Sequence, residues 1–281
     1  MKIPQVMNFF WDGTPLSWMR YTTLASFRKF NPAWDIHLYR PSVPCHTPRW
    51  RTPELDDREY AGRDYMADVD SLGVERKEWK PPLSQLAPAH ASDVFQWDIL
   101  GTIGGWYSDM DVLFTSPMDH AVGIFGNTDA VFCLETGGIA IGFFGAAPQS
   151  PVFQSIYREA VRHNQAGSYQ CSGVEAVYRA AGTWPPKPNV SIGGYHAMDA
   201  FRTKHPGLAI ADIPEHAIYH YDWQSFVRLY DADETIPTET CIGLHWFGGS
   251  PVSQKWNNLL TADNYTNYKM TFTTYAKRVL Q

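Results

Sequence analysis

Trp106 to Phe114 would read as one unbroken apolar strand but for two carboxylates, Asp109 and Asp111. Alternate residues of a strand share a face, so the two are expected to point the same way. Ionised carboxylates in an apolar setting are costly unless something neutralises them. A hard divalent cation does so, because Mg2+ or Mn2+ takes oxygen ligands and shares them between carboxylates and substrate phosphates. The ordinary alternative is that the pair caps a loop or meets arginine side chains. Two further Asp-x-Asp triplets, Asp68-Val69-Asp70 and Asp231-Ala232-Asp233, lie in polar stretches and read as surface. The triplet alone therefore says little, and its setting carries the reading.

That setting begins with a helix. Pro88 suits a first helical turn, and Phe95, Ile99 and Ile103 recur at i, i+4 and i+8 as an apolar face. Gly104-Gly105 ends it. Upstream, Ile3 to Trp11 reads as a buried strand closed by the turn Asp12-Gly13-Thr14-Pro15. Leu16 to Phe30 has helical spacing, Asn31-Pro32 breaks it, and Trp34 to Tyr39 alternates as a second strand. The chain thus opens β-α-β, as a nucleotide-binding α/β sheet does.

Residues 40–82 are expected to form loops and short helices. Strands are expected at Ala130 to Leu134 and Ile139 to Phe144, and helices at Pro151 to Asn164 and Gly173 to Ala181. Pro-rich loops follow, and Ile242 to Phe247 reads as a last strand before Gly248-Gly249-Ser250-Pro251. No repeat or linker divides the chain, so 1–281 is expected as one domain.

Composition narrows the function class. A formal net charge of −6 argues against general affinity for nucleic-acid phosphates or anionic membranes. Cys45, Cys133, Cys171 and Cys241 lack metal-ligand spacing and read as reduced, mostly buried thiols. No signal peptide is visible, and no apolar run approaches the roughly 20 residues that span a bilayer. A cytoplasmic protein without a transmembrane segment is expected.

Ala91-Ser92-Asp93, followed by Gly104-Gly105-Trp106-Tyr107-Ser108-Asp109-Met110-Asp111, resembles a known pattern. It is similar to the DXD-containing sugar-binding region of certain mannosyltransferases, α-1,4-galactosyltransferases and the glucosylating domains of large clostridial toxins. Ile3 to Trp11 and Asn31-Pro32-Ala33-Trp34 match the opening of that family as well. The resemblance implies a GT-A type α/β fold, with a mixed, mostly parallel sheet flanked by helices. It also implies a nucleotide-sugar donor (a UDP- or GDP-sugar), Mn2+ or Mg2+, and retention of anomeric configuration.

By the same resemblance Trp11 stacks on the donor base, Asp93 contacts the donor sugar and Tyr107 lines the donor site. Asp109 lies near ribose and metal, and Asp111 ligates the metal directly. Asp93, Asp109 and Asp111 are thereby the candidate catalytic residues. Gln96 stands where the family often has Arg, and an amide can bond a sugar hydroxyl but brings no charge. Where the family often has Asn after the Asp pair, this chain has Glu135-Thr136-Gly137-Gly138 and Ile139-Ala140-Ile141-Gly142. His245 is the expected third metal ligand, and the N–H groups of Gly248 and Gly249 are expected near phosphate oxygens. Lys255 and Trp256 are candidates for closing over the donor.

About 1–120 then forms the donor half, about 40–85 and 120–240 the acceptor side, and 241–256 a closing segment. Retention is expected by attack of the acceptor on the face the diphosphate leaves. Glu135 and Asp93 are the carboxylates for a double-displacement alternative. Two other readings stay open: a metal-dependent nucleotidyltransferase or phosphohydrolase, and a non-catalytic carbohydrate-binding relative. The acceptor is a glycan, a protein, a small molecule or, least in keeping with the acidic charge, a modified nucleic-acid base.

Overall fold

The computed structural model describes residues 2–45, 50, 60–135, 138–165, 168–184 and 193–281. Strand β1 (Val6–Phe10), helix α1 (Trp18–Phe30) and strand β2 (Asp35–Pro41) form the expected opening unit, with β1 and β2 parallel. Ser17 starts α1: its hydroxyl accepts from the Arg20 N–H at 3.2 Å and donates to Asn257 Oδ1 at 2.5 Å. One side chain thus caps the helix and ties it to the C-terminal part of the chain. Ser17→Ala is expected to cost about 1–2 kcal/mol, the usual range for a lost cap, read as a fall in chemical-denaturation midpoint.

Within 40–82 the structure adds a strand, β3 (Glu75–Trp79), beside β2. Helix α2 (Pro88–Thr102) follows and lies where the sequence places it. Its apolar face needs correction. Phe95 and Ile99 are buried, but Ile103 at the C-cap is 52% exposed. Ala91, Val94, Trp97 and Leu100 are buried too, because α2 packs against both the sheet and helix α4 (Pro151–Arg162). A helix covered on two sides has no single apolar stripe.

The expected strand Trp106–Phe114 is two strands. Strand β4 (Gly105–Ser108) pairs with β1 and with β7 (Gly138–Ala146) in the main sheet. Strand β5 (Val112–Phe114) leaves that sheet and pairs antiparallel with β9 (Gly243–His245). Asp109-Met110-Asp111 is the turn between the two sheets, so the carboxylates converge by the turn and not by strand alternation. Gly104 and Gly105, at φ 75° and 97°, launch β4 against its neighbours. A Cβ at Gly104 would lie 2.7 Å from the Ala146 carbonyl oxygen, closer than any side chain is tolerated.

Helix α3 (Asp119–Phe125), strand β6 (Ala130–Glu135), β7, α4 and helix α5 (Val174–Ala181) follow. The region expected as loops then holds helix α6 (Gly193–Lys204) and strand β8 (Ile210–Ile213). Helix α7 (Arg228–Asp231), β9, helix α8 (Pro251–Leu259) and helix α9 (Thr271–Leu280) end the chain. The main sheet has the order β3-β2-β1-β4-β7-β6-β8, with β7 antiparallel to its neighbours and the other pairs parallel. This is the expected α/β architecture, a mixed and mostly parallel sheet flanked by helices.

Consecutive residues of the central strands divide between the two faces, as the pleat requires. Phe9, Leu38, Trp106 and Phe143 enter one apolar cluster; Phe10, Tyr39, Tyr107 and Phe144 enter the other. Cys133, Cys171 and Cys241 are buried free thiols and Cys45 is partly buried, in line with the sequence reading. The triplets at Asp68 and Asp231 are surface features: Asp68 and Asp70 pair with Arg63 and Arg76, and Asp231 is exposed. No helix among the described residues is long and apolar enough to cross a membrane.

Candidate active site

The turn after β4 and the end of β9 meet. Antiparallel pairing sets Val112 opposite His245 and thereby brings His245 beside the Asp pair. His245 Nε2 lies 3.2 Å from Asp111 Oδ1 and 4.0 Å from Asp109 Oδ2. The His245 side chain is 8% exposed, Asp111 13% and Asp109 33%, so the cluster opens on the Asp109 side.

Each carboxylate is held from behind. Asp111 Oδ2 accepts the Gly248 N–H at 2.6 Å, and the Asp111 carbonyl accepts from Trp246 N–H at 2.9 Å. Asp109 Oδ1 accepts the Tyr107 hydroxyl at 2.6 Å, and that hydroxyl sits 2.8 Å from Ser92 Oγ on α2. His245 Nε2 meets Asp111 Oδ1 at 3.2 Å, an ion-pair distance, and this buried oxygen has no other polar partner among the described residues. A buried carboxylate oxygen in that condition wants a cation.

Electrostatics points the same way. Burial raises Asp109, the Asp111 charge beside it adds to this, and its pKa is pushed up to about 6. Burial also disfavours the Asp111 anion, but His245, Arg20 and the Gly248 N–H outweigh it and hold this carboxyl well below its usual range. Burial works against an imidazolium at His245, yet Asp111 and Asp109 together raise its pKa. Protonated, His245 neutralises part of the pair. Neutral with its proton on Nδ1, the ring offers Nε2 as a nitrogen ligand beside the two carboxylates, a tautomer that gives up the 3.3 Å contact in which Nδ1 accepts the Phe247 N–H. One ligand atom from each of Asp109, Asp111 and His245 lies within 4.8 Å of the others, a span a divalent cation can bridge. No other group of three or more His, Cys, Asp or Glu among the described residues meets that test.

The remaining expected residues lie around this centre. Asp93 on α2 is buried; its carboxyl is raised well above the ordinary range by burial, against the pull of His90 and with help from Asp109. Gln96 Nε2 donates to Asp93 Oδ1 at 3.4 Å, and Gln96 Oε1 is buried without a partner. Trp11, half-buried, donates from Nε1 to the Thr14 carbonyl at 2.6 Å. The Gly248 N–H, expected to face phosphate, is engaged by Asp111. Trp256 stacks on Tyr230 with ring centroids 5.8 Å apart and meets Tyr268 edge-on. Of Glu135-Thr136-Gly137-Gly138, Thr136 and Gly137 lie outside the described residues.

Three residues at the centre escaped the sequence reading. Tyr219 lays its ring on His245, centroids 4.8 Å apart, and its hydroxyl accepts the Gly142 N–H at 3.1 Å. Gly142 backs the cluster where a side chain would collide with it. Arg20 brings its charge to both carboxylates. Arg20 alone left a trace, as the only charged residue in the apolar stretch Leu16 to Phe27.

Comparison with known proteins bears on this geometry. Residues 15–126 match the family described as glycosyltransferase sugar-binding region containing DXD motif. No curated protein matches the sequence. Similar solved structures include the PaToxG glycosyltransferase, at 16% identity over 72% of this chain and 78% of that one, with a TM-score of 0.45. GlyE of Streptococcus pneumoniae is 12% identical over 98% of this chain, which spans 63% of GlyE, with a TM-score of 0.45. The galactosyltransferase LgtC, solved with donor and acceptor sugar analogs, is 10% identical over 98% and 96% of the two chains, with a TM-score of 0.44. The Ser92-bearing helix, the Gly-Gly stop and the Asp pair all fall within 15–126, the stretch that matches this family.

Proposed function

We propose that the protein transfers a sugar from a UDP- or GDP-sugar to an acceptor hydroxyl with retention, using Mn2+ or Mg2+ at Asp109, Asp111 and His245. The observation that carries this is the buried Oδ1 of Asp111, which meets only the His245 imidazole, beside a second carboxylate inside a DXD region. Bound there, the cation supplies Lewis-acid neutralisation of the leaving diphosphate. Asp111 is the principal ligand, since its carboxyl stays ionised, and Asp109 leans toward the ribose.

The other residues bind and orient. Trp11 offers an indole face to the base. Tyr107, fixed between Ser92 and Asp109, closes the side of the donor pocket. Asp93 and Gln96 meet sugar hydroxyls, which supply the partner that Gln96 Oε1 lacks. The N–H of Gly249 is the one left to approach phosphate, its neighbour being committed to Asp111. Retention by same-face attack needs no enzyme nucleophile, and Glu135 and Asp93 are the side chains to test for one. We read 1–281 as one domain, with the donor half in about 1–120 and the acceptor side in 120–240. On that side a polar cavity is lined by Glu215, His216, Tyr219, His220 and Asp222, and Trp223 beside it is 39% exposed. Free thiols suit a reducing, cytoplasmic setting.

The test is incubation with a panel of UDP- and GDP-sugars, with Mn2+, with Mg2+ and with chelator. Metal-dependent release of nucleoside diphosphate is expected, and chelation is expected to reduce it to background. Release of pyrophosphate or sugar phosphate would favour a nucleotidyltransferase or phosphohydrolase. Sugar binding without turnover would favour a non-catalytic relative.

A further inference from the structure

Arg20 sits in the first turn of α1, its backbone N–H fixed by the Ser17 cap. Its guanidinium lies over the Trp11 ring, 4.7 Å from the centroid, and over the Trp246 ring, 5.3 Å from the centroid. Trp11 follows β1 and Trp246 follows β9, so the planar cation is held between two aromatic faces from distant parts of the chain. A Cβ placed on Gly248 would lie 2.9 Å from Arg20 Nη2 and 3.1 Å from Asp111 Oδ2. The guanidinium therefore borders the same small volume as the proposed metal ligand.

What Arg20 does not do is equally informative. Among the described residues its guanidinium donates no hydrogen bond, and no carboxylate lies within 4.0 Å of it. A guanidinium has five N–H donors, and a half-buried one normally spends several of them on carbonyls or carboxylates. The rings hold its faces and leave its donor edge unused. A planar fork with a free edge matches two oxygens of a phosphate, and Arg makes such paired contacts where Lys supplies only a point charge.

We propose that Arg20 binds the diphosphate of the nucleotide-sugar donor, an assignment that rests on the donor reading above. A nucleotide whose base stacks on the remaining face of Trp11 places its phosphates next to the Trp11 edge, between Arg20 and Asp111. Arg20 would then share the diphosphate charge with a cation held at Asp109, Asp111 and His245. It is a binding and positioning residue, and it offsets charge on the leaving group as that charge develops.

The experiment measures affinity, not turnover alone. Wild type, Arg20→Gln and Arg20→Lys are titrated calorimetrically with UDP and GDP, and with uridine and guanosine, at saturating Mn2+. Arg20→Gln is expected to weaken the preferred nucleoside diphosphate by about 10- to 100-fold, the scale of charged hydrogen bonds, with nucleoside affinity unchanged. Arg20→Lys is expected to recover part of the loss. Equal weakening of nucleoside and diphosphate would assign Arg20 to holding Trp11 and overturn the proposal, as would an unchanged diphosphate affinity in Arg20→Gln. A wild type that binds neither nucleoside diphosphate overturns the donor reading together with this assignment. Should Arg20→Gln fold poorly, by lowered Tm or altered near-ultraviolet circular dichroism, Arg20→Lys decides: full wild-type affinity for the diphosphate and its nucleoside would count against the fork.

Discussion

Asp111→Asn is expected to lower sugar transfer and donor hydrolysis by about 10³-fold or more at saturating Mn2+, with the fold intact; loss of one preorganised electrostatic group alone costs about 10²–10³. The amide keeps the shape of the side chain, and its oxygen still receives the Gly248 N–H that now reaches Asp111 Oδ2 at 2.6 Å. What disappears is the anion that Arg20 and His245 favour and the free oxygen that a cation needs. The variant is not expected to unfold, because the amide keeps the Gly248 contact. Its Tm without metal is expected to fall modestly at neutral pH, because the carboxyl that His245 and Arg20 hold below its usual range contributes stability there that the amide lacks. Added Mn2+ separates the two proteins: at 100 times Kd a ligand stabilises the native state by about 2.7 kcal/mol, and the variant should show none of that rise. Near-wild-type turnover in the variant with saturating Mn2+ would remove Asp111 from the metal site.

The opening β-α-β unit and helix α2 were legible because each carries its own punctuation. Ser17, Asn31-Pro32, Pro88 and Gly104-Gly105 mark ends that local backbone chemistry sets. Strand β3 was not legible, since Glu75-Arg76-Lys77-Glu78 has no apolar alternation. It is an edge strand that pairs through its backbone with β2, with His37–Glu75 and Arg40–Glu78 contacts across the pair.

The candidate site divides along the same line. The carboxylates, Tyr107 and Asp93 lie within one short stretch of chain and could be read together. Their geometry could not, because the turn at Asp109 exists only where β5 departs to pair with β9, more than a hundred residues further on. Tyr219, Gly142 and Arg20 enter through such long-range contacts. Trp256, a candidate for closing over the donor, lies on α8 and packs on Tyr230, a contact that its local sequence does not announce.

Gly142→Ala tests the centre from a residue that offers no side chain. Its backbone lies outside the positive-φ region, so alanine meets no conformational obstacle there. The obstacle is space. The new methyl carbon would lie 2.7 Å from the Tyr219 hydroxyl oxygen, 2.9 Å from Asp109 Oδ2 and 3.2 Å from His245 Nε2. None of these groups retreats freely: Tyr219 is buried against His245, and Asp109 is tied to Tyr107. The methyl group must therefore displace two of the three proposed ligands, and an ångström of misplacement at a reacting centre costs about 10²-fold. Turnover and Mn2+ affinity are expected to fall together by about that factor, while overpacking costs about 1–3 kcal/mol of stability. Gly145→Ala on the same strand is the control. Its methyl would press on the Trp106 ring at 3.0 Å, away from the carboxylates, so it should lose stability with Mn2+ affinity preserved. Calorimetric Mn2+ titration and thermal unfolding of the two variants separate these outcomes. Mn2+ affinity and turnover unchanged in Gly142→Ala would mean that Asp109 and His245 do not hold the metal together.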